Sequence, residues 1–191
     1  MSAATLTAAA ASIAGKFKVR TKTEFRGEVS LHLEVAELKE AARFCRDELR
    51  FTYLVDVSGV DHFGEEPRFE VVYELYRFEQ GDYLRLKVSV SEDQLEVPTV
   101  SDLWPTADWH EREAFDMYGI KFAGHPELTR ILMWEGYPFF PLRKDFPLAG
   151  RASDMPDIAF SKAAPLEGGP FVTVPSTATT KDREPRARPV E

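Results

Sequence analysis

Ionisable side chains are concentrated between residues 111 and 145, and Glu111 is the one that could do chemistry. If residues 107–118 form a helix, an advance of 100° per residue places Glu111 on the same face as Phe115 and Tyr118. A carboxyl group among apolar side chains has a raised pKa and can serve as a general acid. No nucleophile or metal-ligand spacing accompanies Glu111, which disfavours this catalytic interpretation.

Other sites for chemistry are incomplete. His110-Glu111 begins like the zinc-binding helix of metalloproteases, but Ala114 stands where the second histidine belongs. No G-x-G-x-x-G motif for a dinucleotide occurs in the sequence. The single cysteine, Cys45, lies on the apolar stripe of a predicted helix and is interpreted as a small buried hydrophobe. One thiol cannot hold an iron–sulfur cluster or a cysteine-type zinc site.

The glycines and histidines near residue 120 also lack the partners that chemistry would need. Gly119 and Gly124 have the glycine spacing of a P-loop, but the Lys and Ser/Thr that would meet phosphate and magnesium are missing. The four histidines are scattered along the chain, so a shared metal site is not expected. His125 lies between Gly124 and Pro126 and is better suited to anchoring a turn than to binding a metal.

Composition indicates a soluble globular chain of 191 residues with one main domain. The 24 basic and 32 acidic residues give a net charge of −8, which argues against a nucleic-acid or anionic-membrane surface. The first 15 residues contain no basic side chain, so no secretory signal is expected. No apolar run reaches the roughly 18–20 residues of a membrane helix. Any membrane association is therefore expected through a partner.

Hydrophobic periodicity predicts the secondary structure that must position these residues. Residues 3–14 are typical of a short alanine-rich helix, and residues 36–49 of an amphipathic one. Alternation of apolar and polar residues predicts a hairpin over 17–35 with a turn near Gly27 and one wet face. It predicts three further strands, on which the apolar positions are Phe51, Tyr53, Val55 and Val57; Phe69, Val71, Tyr73 and Leu75; and Leu84, Leu86, Val88 and Val90.

This order of elements predicts an α+β fold, with a mainly antiparallel sheet and helices packed on one face in a loosely ferredoxin-like arrangement. Residues 1–15 are assigned to an N-terminal segment and residues 16–119 to the α+β domain. Ten of the thirteen prolines lie from Pro126 onward, which excludes long helices and central strands there. Residues 120–150 are nevertheless rich in aromatics, so they predict an extended docking arm. The alternative is that this arm folds back over its own domain. Residues 151–191 are predicted to be irregular to disordered.

Two hypotheses concern the charges of the helix at 107–118. A buried carboxylate needs a partner, since leaving a buried ion unpaired costs about 3–5 kcal/mol. We hypothesise that Glu111 clamps the arm onto the domain through Arg130 or Arg143. Arg112 lies four residues from both Asp108 and Asp116, and this spacing predicts structural ion pairs along the helix.

The motif between residues 111 and 148 resembles the diagnostic stretch of the 30 kDa subunit family of proton-pumping NADH:quinone oxidoreductase, respiratory complex I. The resemblance covers roughly residues 28–150 and includes residues 54–61 and 71–73. It departs at Thr129, where a basic residue or proline is usual, and at Phe140, where histidine is common. The residues that carry it are Glu111, Arg112, Glu113, Asp116, Gly119, Gly124, His125, Pro126, Arg130, Pro141, Leu142, Arg143, Lys144 and Asp145.

The resemblance implies a peripheral-arm subunit on the cytoplasmic side of a bacterial inner membrane. It implies contacts with subunits D, B and I, whereas NADH, FMN, iron–sulfur clusters and quinone belong to other subunits. The motif residues would then serve assembly, with no catalytic, cofactor or metal residue on this chain. Two alternatives remain: the equivalent subunit of a membrane-bound hydrogenase or another donor:quinone dehydrogenase, and a stand-alone enzyme that uses Glu111.

Overall fold

A computed structural model of the chain describes residues 3–147. Leu148 and the segment 151–191, which the sequence predicts to be irregular, lie outside the described residues. The elements, in chain order, are helix α1 (Ala3–Lys16), strands β1 (Val19–Phe25) and β2 (Glu28–Leu33), helix α2 (Val35–Asp47), strands β3 (Tyr53–Asp61), β4 (Phe69–Arg77), β5 (Asp82–Val90) and β6 (Glu96–Pro98), helix α3 (Ala107–Tyr118) and strand β7 (Lys121–Ala123).

Five strands form one sheet in the order β1-β2-β5-β4-β3, and β6 pairs with β7 in a separate two-stranded sheet. Within the large sheet β2 and β5 are parallel, and the other three pairings are antiparallel. The hairpin β1–β2 closes at the turn predicted near Gly27. The hairpin β4–β5 closes at residues 78–81, where the N–H of Gly81 donates to the carbonyl of Arg77 at 2.9 Å. The predicted α+β class with a mainly antiparallel sheet is therefore confirmed.

The period-two pattern gives the sheet one apolar face and one polar face. Leu31, Tyr73 and Leu86 are buried on the apolar face, against which α1, α2 and α3 pack. The polar face carries rows of ion pairs that cross the strands, such as Lys87 with Glu70 at 2.8 Å. The placement of the helices on one face is thus confirmed. Cys45 of α2 is buried as predicted, and its burial raises the pKa of the thiol to about 12.

Two strands differ from the predicted alternation. The register of β3 against β4 shifts between Leu54 and Asp56, so Leu54 turns into the core while Tyr53 is 43% exposed. A bulge of this kind inserts one residue and reverses the facing of the side chains on one side of it. The prediction that Tyr53 shares the buried face with Val57 is therefore wrong. In β1 six of the seven residues are exposed, so the one-sided burial expected of the hairpin holds only for β2.

The segment after α3 begins as part of the domain. Phe122 of β7 is 2% exposed, and β7 pairs with β6 in parallel. Within the described residues no further helix or strand follows up to residue 147, as the prolines predicted. No helix in the described part of the chain is both long and apolar enough to cross a membrane.

Candidate functional site

Helix α3 positions the first half of the motif because it buries two carboxylates. The helix ends at Gly119, whose φ of 81° lies in the left-handed region and whose N–H donates to the carbonyl of Phe115 at 2.8 Å. Glu111 and Asp116 are both fully buried. Each carboxylate therefore requires hydrogen-bond donors from neighbouring elements, and these donors determine what α3 holds in place.

Glu111 receives its donors from the segment that follows β6. One carboxylate oxygen accepts the backbone N–H of Val100 at 2.7 Å, and the other accepts the hydroxyl of Thr99. The sequence correctly predicted that Glu111 points into the apolar face. The hypothesis that it clamps the arm through Arg130 or Arg143 is wrong, because those guanidinium groups bind elsewhere. Burial raises the pKa of the Glu111 carboxyl to about 7, and its two hydrogen bonds offset part of that rise.

Asp116 is the carboxylate that holds the arm. One of its oxygens accepts three consecutive backbone N–H groups, from Ile131 at 3.0 Å, Leu132 at 2.7 Å and Met133 at 2.9 Å. The other oxygen accepts Nη1 of Arg130 at 2.8 Å. Arg130 also donates to the carbonyl of Phe139, at 3.2 Å from Nη1 and 3.1 Å from Nη2. A single buried carboxylate thus shapes the turn at 130–133 and ties it to residue 139.

Arg112 also contacts the arm, rather than its own helix. Its Nε donates to the carbonyl of Thr129 at 3.1 Å and its Nη2 to the Thr129 hydroxyl at 2.7 Å. The guanidinium lies 4.9 Å from the centroid of the Trp109 ring. The predicted ion pairs with Asp108 and Asp116 are therefore wrong: a carbonyl and a hydroxyl outside the helix take their place. Thr129, one of the two departures from the family pattern, is a direct partner of Arg112.

His125 anchors a turn, as predicted. Its Nδ1 accepts the N–H of Glu127 at 3.1 Å, which requires the ring proton on Nε2; Nε2 then donates to the carbonyl of Asp108 at 3.2 Å. The adjacent Gly124 has a φ of 82°, and the His125 N–H donates to Phe122. The turn therefore joins the start of the arm to the first turn of α3.

The second half of the motif, residues 141–145, is fastened to the sheet by Arg143. Its Nε donates to the carbonyl of Tyr118 at 2.7 Å and its Nη1 to Glu92 at 2.9 Å. The guanidinium lies between two rings, 5.0 Å from the centroid of Phe69 and 4.7 Å from that of Phe140. Phe140, the second departure from the family pattern, therefore supplies one face of this cation–π contact.

Arg68, the residue before β4, contacts the same segment. It pairs with both oxygens of Asp61, at 2.9 and 3.0 Å, and with Glu92 at 2.9 Å and Asp145 at 3.1 Å. Asp61 also accepts the backbone N–H of Lys144 at 2.7 Å. These bonds keep the pKa of the Asp61 carboxyl below its usual range, chiefly through the hydrogen bond with Arg68. Residues 143–145 thus lie against their own domain.

Four residues of this arrangement were not predicted from the sequence: Thr99, Asp61, Arg68 and Glu92. Asp61 lies within the resembling stretch 54–61, and that position is a signal that could have identified it. Arg68 directly precedes the apolar run of β4, and no spacing indicates that it would be buried. Among the remaining motif residues Glu113, Pro126, Leu142 and the Lys144 side chain are exposed, and Pro141 is partly buried.

Gly119 offers a direct test of how closely the arm packs. A Cβ at this position would lie 2.8 Å from the ring of Phe140 and 3.0 Å from Nη2 of Arg143. We expect Gly119→Ala to lower the free energy of unfolding in urea by about 2–4 kcal/mol, because left-handed strain adds to overpacking. Gly27→Ala is the matched control: its φ is 83°, but nothing lies within 4 Å of the added Cβ. Equal losses in the two variants would contradict the close packing.

The described residues show no metal centre. Within residues 3–147 no three His, Cys, Asp or Glu side chains are grouped so that they could hold a metal ion. The buried charged groups described above are bonded to backbone groups, to the Thr99 hydroxyl or to side chains of opposite charge. What the arrangement can do is hold an irregular, aromatic-rich segment in a fixed conformation on α3 and the sheet.

The sequence matches known proteins over the same region. The sequence model of the family described as "Respiratory-chain NADH dehydrogenase, 30 Kd subunit" matches residues 31–152. The C subunit of NADH-quinone oxidoreductase from Roseiflexus castenholzii is 52% identical over 128 residues, which make up 66% of this chain and 74% of that protein. The protein of the same name from Geobacter sulfurreducens is 44% identical over 128 residues, 66% of this chain and 79% of that protein.

Solved structures are similar to this chain as well. The trypsin-resistant fragment of Nqo5 is 30% identical with a TM-score of 0.58, covering 65% of this chain and 99% of the fragment. A chain of a membrane-bound sulfane sulfur reductase, an archaeal respiratory complex, is 25% identical with a TM-score of 0.59, covering 72% and 83%. The family match extends over more than half of the sequence and includes every motif residue from Glu111 to Asp145. This chain therefore belongs to the family of the 30 kDa subunit of respiratory-chain NADH dehydrogenase.

Proposed function

We propose that this chain, a subunit of the complex I family, is a scaffold subunit of the peripheral arm that contributes no catalytic residue of its own. In this role it supports electron transfer from NADH to quinone, coupled to proton translocation. NADH, FMN, iron–sulfur clusters and quinone are bound by other subunits. Subunits D, B and I are its partners, on the cytoplasmic side of the inner membrane.

One observation carries this proposal: the buried polar groups of the motif hold apolar side chains out into solvent. Leu132 is 59% exposed at the tip of the turn that Asp116 shapes, and Leu142 is 47% exposed in the segment that Arg143 fastens. Trp109 is 62% exposed on α3. Exposed apolar side chains on a rigid support are typical of a protein–protein interface.

The motif residues divide between two tasks in this proposal. Asp116, Arg130 and Arg143 give the segment 126–147 its conformation, and Asp145 adds a bond to Arg68. Leu132 and Leu142 meet the partner. In this proposal the predicted docking arm, residues 120–150, lies against its own domain over the described part up to residue 147 and offers Leu132 and Leu142 to the partner.

The test is a mild-detergent purification of the tagged full-length chain from its own membranes, followed by a native gel stained for NADH oxidation. We expect the chain in a large NADH-oxidising band together with quinone-linked subunits. Recovery of a small, unpartnered protein would contradict the proposal. A stand-alone enzyme that uses Glu111 would instead turn over a substrate as the purified single chain.

Replacement of Leu132 by aspartate tests the proposed contact. We expect the amount of NADH-oxidising complex that is recovered with the tagged chain to drop at least tenfold, because a charge would enter an apolar contact. Unfolding of the free chain should change by less than about 0.5 kcal/mol, since the side chain is solvated there. Gln80→Asp is the control for the added charge: Gln80 is exposed in the turn between β4 and β5. An undiminished yield for Leu132→Asp would remove Leu132 from the interface.

A second candidate is the equivalent subunit of a membrane-bound hydrogenase or of another donor-linked dehydrogenase. The structural similarity to a chain of the sulfane sulfur reductase complex supports it weakly, since identity there is 25% against 52% for the Roseiflexus protein. Mass spectrometry of the purified assembly separates the two. NADH- and FMN-binding subunits support the first candidate, and a nickel-binding large subunit supports the second.

A further inference from the structure

Strand β1 is an open edge of the main sheet. It pairs with β2 on one side only, and no other strand of the described chain joins it. Six of its seven side chains are exposed, so the helical layer that covers β2 and β5 does not extend over β1. A strand that lacks both a second neighbour and a buried face presents its backbone to any extended segment that can reach it.

The register shows which backbone groups are free. Arg26 and Gly27 form a two-residue turn with φ of 52° and 83°, and Phe25 faces Glu28 across it. In such a hairpin the pair that closes the turn exchanges both hydrogen bonds, and bonded and non-bonded pairs alternate from there. The N–H and C=O groups of Lys22 and Glu24 therefore point away from β2, toward the open edge. Those of Thr23 point into the hairpin.

The opposite edge strand of the sheet, β3, is interrupted within its length, because its register against β4 shifts between Leu54 and Asp56. Bulges are one of the ways in which proteins block an edge. Strand β1 also has a register shift, between Val19 and Thr21, but it has none along residues 21–25.

The open edge is basic in an acidic protein. Residues 16–26 contain five basic side chains and one acidic side chain, whereas the whole chain has a net charge of −8. Glu34 neutralises part of this charge, through Arg20 at 2.6 Å and Lys18 at 3.6 Å, and Glu24 neutralises a further part, through Lys22 at 2.6 Å. The five basic residues are all exposed: Lys16, Lys18, Arg20, Lys22 and Arg26.

We propose that β1 accepts an extended acidic segment of a partner protein, which adds to the sheet as a sixth strand. The backbone groups of Lys22 and Glu24 supply its hydrogen bonds, and the basic side chains around them select an acidic sequence. A second copy of this chain does not suit the edge, because pairing β1 with itself would bring the basic residues together. The backbone groups of Lys22 and Glu24 belong to β1 and not to the arm, and the test does not depend on NADH oxidation by the assembly.

Hydrogen exchange resolved to single amides tests the pairing. The free full-length chain is compared with the same tagged chain in the assembly recovered from its own membranes. We expect the amides of Lys22 and Glu24 to exchange at least tenfold more slowly in the assembly. The Thr23 amide, already bonded to β2, is the internal control and should be slow in both samples. Fast exchange at Lys22 and Glu24 in the assembly would overturn the proposal, and the lysines would then act as guards against pairing.

Two further measurements identify the occupant. Lys22→Glu should abolish the added protection in the assembly, whereas Arg43→Glu on the exposed face of α2 should leave it intact. Protection that persists in Lys22→Glu would overturn the acidic partner. The free chain is also mixed with phosphatidylglycerol vesicles; slowed exchange there would assign the edge to a lipid surface and overturn the protein partner. Cross-linking from a photoreactive residue at Phe25 should yield an acidic peptide of another protein.

Discussion

Asp116→Ala is expected to release the arm from α3 and to lower the free energy of unfolding by about 3–5 kcal/mol. The carboxylate is fully buried and accepts three backbone N–H groups and the Arg130 guanidinium. Alanine removes both carboxylate oxygens at once. The three N–H groups then lose their acceptor, and Arg130 keeps only backbone carbonyls, those of Phe139 and residue 116. Each unsatisfied buried group costs about 1–3 kcal/mol, and a charged one more. Part of this loss is recovered if the arm detaches and water reaches these donors.

Urea unfolding gives the loss of free energy, and limited proteolysis reports where it acts. Cleavage of the free chain within residues 128–140 should become much faster in Asp116→Ala. Glu113→Ala is the matched control because Glu113 is an exposed carboxylate on the same helix, and its effect should stay below about 0.5 kcal/mol. An unchanged cleavage pattern in Asp116→Ala would mean that the turn at 130–133 holds without this carboxylate.

Asp116→Asn separates charge from geometry. The amide oxygen can still accept the N–H groups of Ile131 and Leu132, but the amide nitrogen cannot accept Nη1 of Arg130. We expect a smaller loss than for alanine, of about 2–3 kcal/mol, since a charge-assisted bond is lost. The yield of complex recovered with the tagged chain should fall from the wild type to Asp116→Asn and further to Asp116→Ala, because the turn that Asp116 holds also presents Leu132.

The sequence predicted the elements better than it predicted their charged contacts. Periodicity identifies a strand wherever one face is buried, so the apolar positions of β4 and β5 followed directly from their alternation. It failed at Tyr53 because a bulge changes the facing of a side chain without changing composition. It also failed in β1, where alternation continues although neither face is covered.

The partners of buried charges were not accessible from sequence spacing. Helical geometry correctly predicted that Glu111 is buried, but its donors come from residues 99 and 100, which carry no charge. A backbone N–H is present at nearly every residue, so no residue type marks it as a donor. For the same reason the three amides that bind Asp116 could not be anticipated, and Arg130 was assigned to the wrong carboxylate.

Glu111 should make the stability of the chain depend on pH. Its pKa is about 7 in the folded protein, against a reference value of 4.5. Between these two pH values the folded chain therefore keeps a proton on Glu111 that the unfolded chain has lost. The free energy of unfolding therefore decreases as pH rises from about 4.5 to about 7, and this contribution is constant above. A shift of this size corresponds to about 3 kcal/mol.

Glu111→Gln is expected to remove this decrease. Glutamine can accept the N–H of Val100 and donate to the Thr99 hydroxyl, which can turn its own proton toward Ser101 Oγ at 2.8 Å. The variant should therefore unfold like the wild type near pH 4.5 and be more stable by up to about 3 kcal/mol at pH 8, since it carries no charge to bury.

The comparison is made by urea unfolding at a series of pH values, with Glu113→Gln as the exposed control. Parallel curves for wild type and Glu111→Gln would show that Glu111 keeps its ordinary pKa in the folded chain. Proteolysis within residues 128–140 should be unchanged in this variant, because Asp116 and not Glu111 holds the turn at 130–133.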